Sequence, residues 1–398
     1  MPTDPPTLWA LLAAARRETF SGPAPSGAVQ TAAKPAETSH PFLSAIATAV
    51  FRVFDSAFLA VAGPPVLPPG STVTVESSTL QYGNGYVAPA DWYFPADPNP
   101  KGLIYFQHGF LALAPIYSYT AAALAEQTHS IVVAPTITSN FLAADGNWLG
   151  GTTMPAAAAD LFLGDRPALN TSAWAAAGHP VTLPQTVVLV GHSLGGNFVL
   201  STARDMADNL TIGSLAGVVL LDGVAFQPGL VASTVAKVPT DLQILDISSE
   251  PYFWNEYGQM ETDLAAERPG QFNGVQLVGG RHIDALQGGK PLIQFAEYLV
   301  AGFSKPQNVE AVKILATGWI NDMLAGNRIV TPPDQPFEIP TTAGTATAYS
   351  IPPPPTELTL SQKVLKKIEL FGVSALFNLD SAPAATSLPS PLAAVVNL

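Results

Sequence analysis

Between residues 72 and 303, short apolar runs rich in Val, Ile and Leu alternate with longer helix-compatible stretches. The runs Leu103–Gln107, Ile131–Ala134, Thr186–Val190, Gly217–Leu221, Leu242–Ile247 and Val275–Val278 are four to six residues long and carry little polar alternation. Strands of that kind are buried on both faces, as in a parallel sheet. The stretches between them predict helices over Ser118–Thr128, Gly196–Asp208, Asn255–Arg268 and Leu292–Phe303. Strand–helix alternation predicts an α/β fold, a mostly parallel central sheet with helices on both faces. Ahead of this region, Thr72–Val75 and Gly85–Phe94 flank a Gly83-Asn84-Gly85 turn and read as an antiparallel pair.

The flanks read differently. A helical patch spans Thr7 to Phe20, a Pro/Ala/Ser/Gly-rich stretch follows, and a second helix over Phe42–Ala62 closes at Gly63-Pro64-Pro65. Beyond Gly326 the chain is Pro/Thr-rich from Thr331 to Pro355, with one amphipathic helix expected over Leu358–Phe377. This divides the chain into an N-terminal extension (1–69), a central domain (70–326) and a Pro-rich C-terminal extension (327–398), read as a tail packed on the domain. Ser139–Leu183 is a long insertion between strands, placed where a cap over a pocket would be.

Composition narrows the chemistry. Apolar residues make up 47% of the 398 positions and charged ones only 12%, which allows a large, well-filled core. A formal net charge of −13 argues against nucleic acid or an anionic membrane as partner, since phosphate binding draws on clustered Lys and Arg. The absence of cysteine removes thiolate metal sites and disulfides. Neither a metal-ligand cluster nor a phosphate-binding loop is visible, so no metal and no cofactor is expected. The longest apolar run, Phe42–Gly63, is interrupted by Arg52 and Asp55, so no integral membrane segment is expected. The first residues lack the order of a secretory signal, which leaves a cytoplasmic protein or an exported one whose signal is not present in this chain.

The strand Thr186–Val190 runs into Gly191-His192-Ser193-Leu194-Gly195, and a helix follows. G-x-S-x-G between a strand and a helix is the setting of a nucleophile elbow, which pushes a serine hydroxyl out over the sheet edge. Such a serine needs a histidine to take its proton and an acid to orient that histidine, in the chain order Ser, acid, His. Of six histidines only His282 follows Ser193, just past the last expected strand. Two acids compete: Asp222 at the end of Gly217–Leu221 and Glu250 after Leu242–Ile247. Asp222 is favoured for its short side chain and adjacent glycine, with Glu250 the alternative. Asp246 falls inside a strand, and Asp284 is close enough to His282 to shape its loop. The expected oxyanion donors are the amide of Leu194 and that of Phe110 or Leu111, in the loop after Leu103–Gln107. His108 and His192 read as bracing residues behind the site. Leu111, Tyr117, Trp148, Phe253 and Trp254 are candidates for an apolar substrate cleft, and the insertion adds Phe141, Met154, Phe162 and Trp174.

At these residues the chain resembles the α/β-hydrolase superfamily, and within it the chlorophyllase-like serine esterases. The likeness rests on Leu103–Phe110, Ser130–Pro135, Gly191–Gly196 and Leu220–Val224, and covers roughly residues 70–303. It implies that the aspartate of the Leu-Asp motif, Asp222 here, is the acid; Gly223 stands where that branch usually has proline. A stretch over Thr7–Glu18 is similar to one found after the signal in exported actinobacterial proteins. The expected activity is hydrolysis of an uncharged carboxylic ester, from a small molecule, lipid or polymer, through an acyl-serine. A lipase or polyesterase, a thioesterase, an acyltransferase or a peptidase would use the same residues, and a non-catalytic binding protein of the same fold is the rival from another class. Oligomeric state is not legible.

Overall fold

Successive residues of the central strands point to opposite faces, and each face builds its own core. The computed structural model describes residues 58, 60–141, 143, 145–329, 336–353 and 363. In β3 (Leu103–Gln107), Leu103 and Tyr105 join one core while Ile104 and Phe106 join the other. β5 (Val187–His192) repeats this with Val187 and Leu189 against Val188 and Val190. The period of two therefore survives in strands that look uniformly apolar in sequence.

The remaining strands are β1 (Thr74–Gln81), β2 (Val87–Phe94), β4 (Ile131–Pro135), β6 (Leu215–Leu221), β7 (Gln243–Ser248), β8 (Gly274–Leu277), β9 (Phe337–Thr341) and β10 (Gly344–Ser350). They form one sheet in the order β1-β2-β4-β3-β5-β6-β7-β8-β10-β9. β4, β3, β5, β6, β7 and β8 run parallel, β2 pairs antiparallel with β4, and β10 pairs antiparallel with β8. With helices on both faces, this is the expected α/β-hydrolase fold. The chain reverses direction across the sheet at β3, so the carboxyl ends of β3, β5 and β6 open together, where ligands bind in such sheets.

Helices α1 (Ser118–Thr128), α2 (Thr153–Asp160), α3 (Pro167–Ala177), α4 (Leu194–Asp208), α5 (Leu230–Val235), α6 (Gln259–Glu267), α7 (Pro291–Ala301) and α8 (Pro306–Leu324) follow in chain order. α2, α4, α5 and α6 supply buried residues to one core; α1 and α8 supply the other. Among the described residues no helix is long and apolar enough to cross a membrane.

Four expectations change. α8 was not anticipated, although Asn308, Ala311, Val312, Ala316, Trp319, Ile320 and Met323 make a buried stripe at helical spacing. The Pro/Thr-rich stretch after Gly326 contains the β9–β10 hairpin, where Ile339, Ala346 and Ala348 turn inward and Pro340 sits on the outer edge strand. The helix expected over Asn255–Arg268 starts only at Gln259, because Glu256, Tyr257 and Gly258 adopt positive φ (51°, 54° and 72°). The helices of the 139–183 insertion pack on the body of the domain: α2 lies against α4, and α3 against β1 and β2. Met154 and Phe162 are core residues there, and Trp174 is exposed with its Nε1–H donated to Val181 O at 2.7 Å. The helix expected over Thr7–Phe20, all but Lys363 of Leu358–Phe377 and nearly all of Phe42–Ala62 lie outside the described residues.

Phe198 of α4 is fully buried and stacks on Tyr105 at 6.3 Å and 6°. Phe198→Ala should cost about 3–5 kcal/mol of stability by leaving a cavity against the sheet. Urea unfolding checks this, and a loss below about 1 kcal/mol would contradict the packing described.

Candidate active site

One residue separates the end of β5 from the start of α4, and it is Ser193. Its φ of 56° and ψ of −126° lie outside the ordinary regions for a residue with a side chain, a strain of about 1–3 kcal/mol. Three backbone hydrogen bonds hold it there: Ser193 N–H to Leu221 O at 3.2 Å, Val224 N–H to Ser193 O at 3.1 Å and Gly196 N–H to Ser193 O at 2.8 Å. The flanking glycines are a steric requirement. A Cβ on Gly191 would meet Gly195 O at 2.2 Å, and one on Gly195 would meet Gln107 O at 2.3 Å, both backbone atoms with nowhere to go. Leu194 is the first residue of the 15-residue α4, so its amide belongs to the positive end of that helix.

His282 opens a 3-10 turn, His282–Ala285, just after β8. Its Nδ1 lies 2.5 Å from Asp222 Oδ2. An ionised carboxylate only accepts, so this contact puts a proton on Nδ1 and leaves Nε2 as the basic nitrogen. Asp222 directly follows β6 at φ 49° and is 4% exposed. It also accepts from Ser249 N–H (2.7 Å), Ser249 Oγ (2.8 Å) and Asn255 Nδ2 (3.2 Å). Burial works to raise its pKa, but the hydrogen bond and charge of His282 and the two donors of Ser249 prevail and hold it below the ordinary value.

Glu250 is exposed and accepts the Gly279 amide at 2.8 Å, so it is Asp222 that meets the imidazole. Asp246 lies within β7 and fixes the turn after Asp222 by accepting Gly223 N–H at 3.2 Å. Burial raises its pKa well above the ordinary range, aided by the charges of Asp222 and Glu261. Asp284 shapes the loop, its Oδ2 accepting Arg281 N–H at 2.8 Å.

The imidazole stands beside the elbow: the ring of His192, the neighbour of Ser193 in the chain, is centred 4.6 Å from that of His282. The Ser193 hydroxyl, on a residue 9% exposed, makes no hydrogen bond to a described residue. The main chain of His282 is held from both sides. Tyr252 Oη accepts its N–H, and His192 Nε2 lies 2.6 Å from its carbonyl oxygen. Trp254 lies nearly parallel to the His282 ring, 6.4 Å away at 19°.

In the loop after β3, the Leu111 amide donates to Ser139 Oγ at 2.8 Å, which commits it to the loop. His108 is a brace, as expected. Its Nε2 accepts Ile137 N–H at 2.9 Å, so Nδ1–H donates to Gly109 O at 2.8 Å, and burial pulls its pKa down to about 4. Of the cleft candidates, Leu111, Trp148, Phe253 and Trp254 are half-buried. Trp148 meets Phe141 and Phe226 edge-on at 6.3 and 6.2 Å. Tyr117 is not a cleft residue: it is 0% exposed, and its hydroxyl takes the Gly109 amide at 3.1 Å and meets His192 Nδ1 at 2.7 Å. Ser249, Tyr252 and Asn255 were not anticipated in their roles here. Serines and asparagines in loops are too common to stand out, and nothing local sets the Tyr252 hydroxyl apart from those of other loop tyrosines.

Among the described residues, no group of three His, Asp or Glu side chains is placed to hold a metal ion. No protein-family model and no curated protein matches the chain. Solved structures similar to it include brefeldin A esterase, a bacterial homologue of human hormone sensitive lipase (17% identity, TM-score 0.46, 74% of this chain and 90% of that one). Others are the hyperthermophilic esterase of the archaeon Pyrobaculum calidifontis (17%, 0.43, 70% and 98%) and carboxyl esterase 2 of the mycorrhizal fungus Tuber melanosporum (13%, 0.43, 70% and 97%).

Burial pushes the Asp284 carboxyl from 3.8 up to about 6. An acid with a raised folded-state pKa binds its proton more tightly folded than unfolded, so its contribution to stability falls as pH rises from 3.8 to about 6. Asp284→Asn keeps an acceptor for Arg281 N–H and should flatten that part of the profile. Melting temperatures across pH 4 to 7 test this; an unchanged slope would show that Asp284 is not the group responsible.

Proposed function

We propose that this chain is a serine hydrolase that cleaves uncharged carboxylic esters through an acyl-serine. Ser193 is the nucleophile, His282 the general base and Asp222 the acid. The observation that carries this reading is the His282 Nδ1–Asp222 Oδ2 contact of 2.5 Å, beside a serine held at φ 56° between a strand and a helix.

In the first half-reaction His282 Nε2 takes the Ser193 proton as Oγ bonds to the ester carbonyl carbon. The carbonyl oxygen becomes an oxyanion, received by the amides of Phe110 and Leu194. Collapse of the tetrahedral species breaks the bond to the alcohol oxygen, which leaves with the proton held by His282. Water, deprotonated by the same nitrogen, then attacks the acyl-serine, and carboxylic acid departs as Oγ is reprotonated. Asp222 keeps its charge throughout and stabilises the imidazolium that forms twice per cycle.

Leu111, Trp148, Phe253 and Trp254 form the apolar walls, which suits uncharged acyl and alcohol groups. An acid after β6 rather than after β7 supports placement in the chlorophyllase-like branch.

With p-nitrophenyl butyrate as substrate, Ser193→Ala should lower turnover by at least about 10³-fold and abolish fluorophosphonate labelling. Asp222→Asn should cost about 10⁴-fold in kcat, and Glu250→Gln should stay within about 3-fold of the parent. Equal rates in parent and Ser193→Ala would remove the serine mechanism; a strong loss in Glu250→Gln alone would transfer the acid role.

A further inference from the structure

Tyr117 and His192 lie behind the proposed machinery, and their hydrogen bonds can be oriented from the two ends inward. The Gly109 amide donates to Tyr117 Oη at 3.1 Å. At the far end, the His282 carbonyl can only accept, so His192 Nε2, 2.6 Å away, carries the proton. In a neutral imidazole Nδ1 is then the acceptor, so the Tyr117 hydroxyl, 2.7 Å from it, is the donor. Neutrality is what the surroundings impose, since burial and the neighbouring His282 pull the His192 pKa down to about 3. The order is therefore amide to phenol to imidazole to carbonyl, each group donating in the same direction. Tyr117 is 0% and His192 2% exposed, so water has no access to replace either link.

The ends of this chain of bonds are the two loops whose separation matters most for the proposed reaction. Gly109 immediately precedes Phe110, the oxyanion candidate. The His282 carbonyl belongs to the base itself, whose amide is held on the other side by Tyr252. The rings are packed as well as bonded: Tyr117 and His192 are centred 5.4 Å apart, and His192 and His282 4.6 Å apart. We propose that Tyr117 and His192 are positioning residues that lock the oxyanion loop to the main chain of His282, fixing the distance between the Phe110 amide and the imidazole. Both act through the groups they hold rather than on the substrate. The proposal rests on the hydrolase reading above.

Tyr117→Phe removes one hydroxyl and keeps the ring. It strands the Gly109 amide and the His192 acceptor, so both loops lose their shared reference. Misplacing reacting groups by about 1 Å is enough for rate losses near 10²-fold. On p-nitrophenyl butyrate we expect kcat to fall about 10–100-fold with KM changed less than about 3-fold. The affinity of a trifluoromethyl ketone, which mimics the oxyanion, should fall in parallel with kcat. Tyr82→Phe is the control: it deletes another buried hydroxyl, 2.8 Å from Tyr105 Oη in the other core, and should leave kcat unchanged. Hydrogen–deuterium exchange gives a readout independent of turnover. In Tyr117→Phe, exchange should rise in residues 109–112 and in residues 281–286 together. A kcat within about 3-fold of the parent, or faster exchange confined to 109–112, would overturn the relay. If Ser193→Ala is inactive while Tyr117→Phe is normal, only the relay falls; if parent turnover does not depend on Ser193, both readings fall.

Discussion

A carboxylate taken out of water keeps its charge only if donors replace the solvent it has lost, and Asp222 is where this structure meets that demand. Four groups converge on its two oxygens: a main-chain amide, a hydroxyl, a side-chain amide and the imidazole. Three of them come from the segment after β7, which closes over the end of β6. The charge therefore organises more than the histidine, since it recruits Ser249 and Asn255 and fixes how the segment from 249 to 255 folds back. The tight turns around it have the same origin. Asp222 itself is left-handed, and the carboxyl of Asp246 is buried beneath to hold the next amide.

The two cores divide the remaining work. One locks α4 against the sheet through Phe198 and Tyr105 and so fixes where the elbow points. The other carries α1 and α8 across the opposite face, with Gly102 and Gly217 lying directly beneath Leu324 and Met323. Strain at Ser193 is bearable because both of its flanking elements are anchored by buried strands and helices. A less complete core would let the turn relax.

How far this was legible depends on the range of each interaction. The parallel strands and the elbow are local patterns, and the six apolar runs that predict the sheet all became strands. The pairing of Asp222 with His282 spans 60 residues; chain order and elimination reached it only because a single histidine follows Ser193. Nothing local distinguished Asp222 from Glu250 beyond side-chain length and a neighbouring glycine, and the family likeness added the rest. Tyr117 was misread because an aromatic near a candidate site looks the same in sequence whether its hydroxyl lines a cleft or serves buried partners. α8 has a clear helical stripe, legible by its spacing although it lies beyond the last strand–helix alternation. The β9–β10 hairpin was hidden by composition, since Thr, Ala and Pro resemble linker until register shows which of them turn inward.

That hairpin gives the C-terminal part of the protein a mechanical task. β10 aligns Ala348 with Leu277 and Ser350 with Val275, and Val278 N–H donates to Thr347 O at 2.9 Å. The strand from which the His282 loop springs is thus splinted by residues some seventy positions downstream. A protease cut or a gentle warming that peeled the outer ribbon away would unmoor the histidine while the elbow, seated in the middle of the sheet, stayed whole. Loss of the His282–Asp222 geometry should then begin at the rim of the sheet, well before the bulk of the molecule melts.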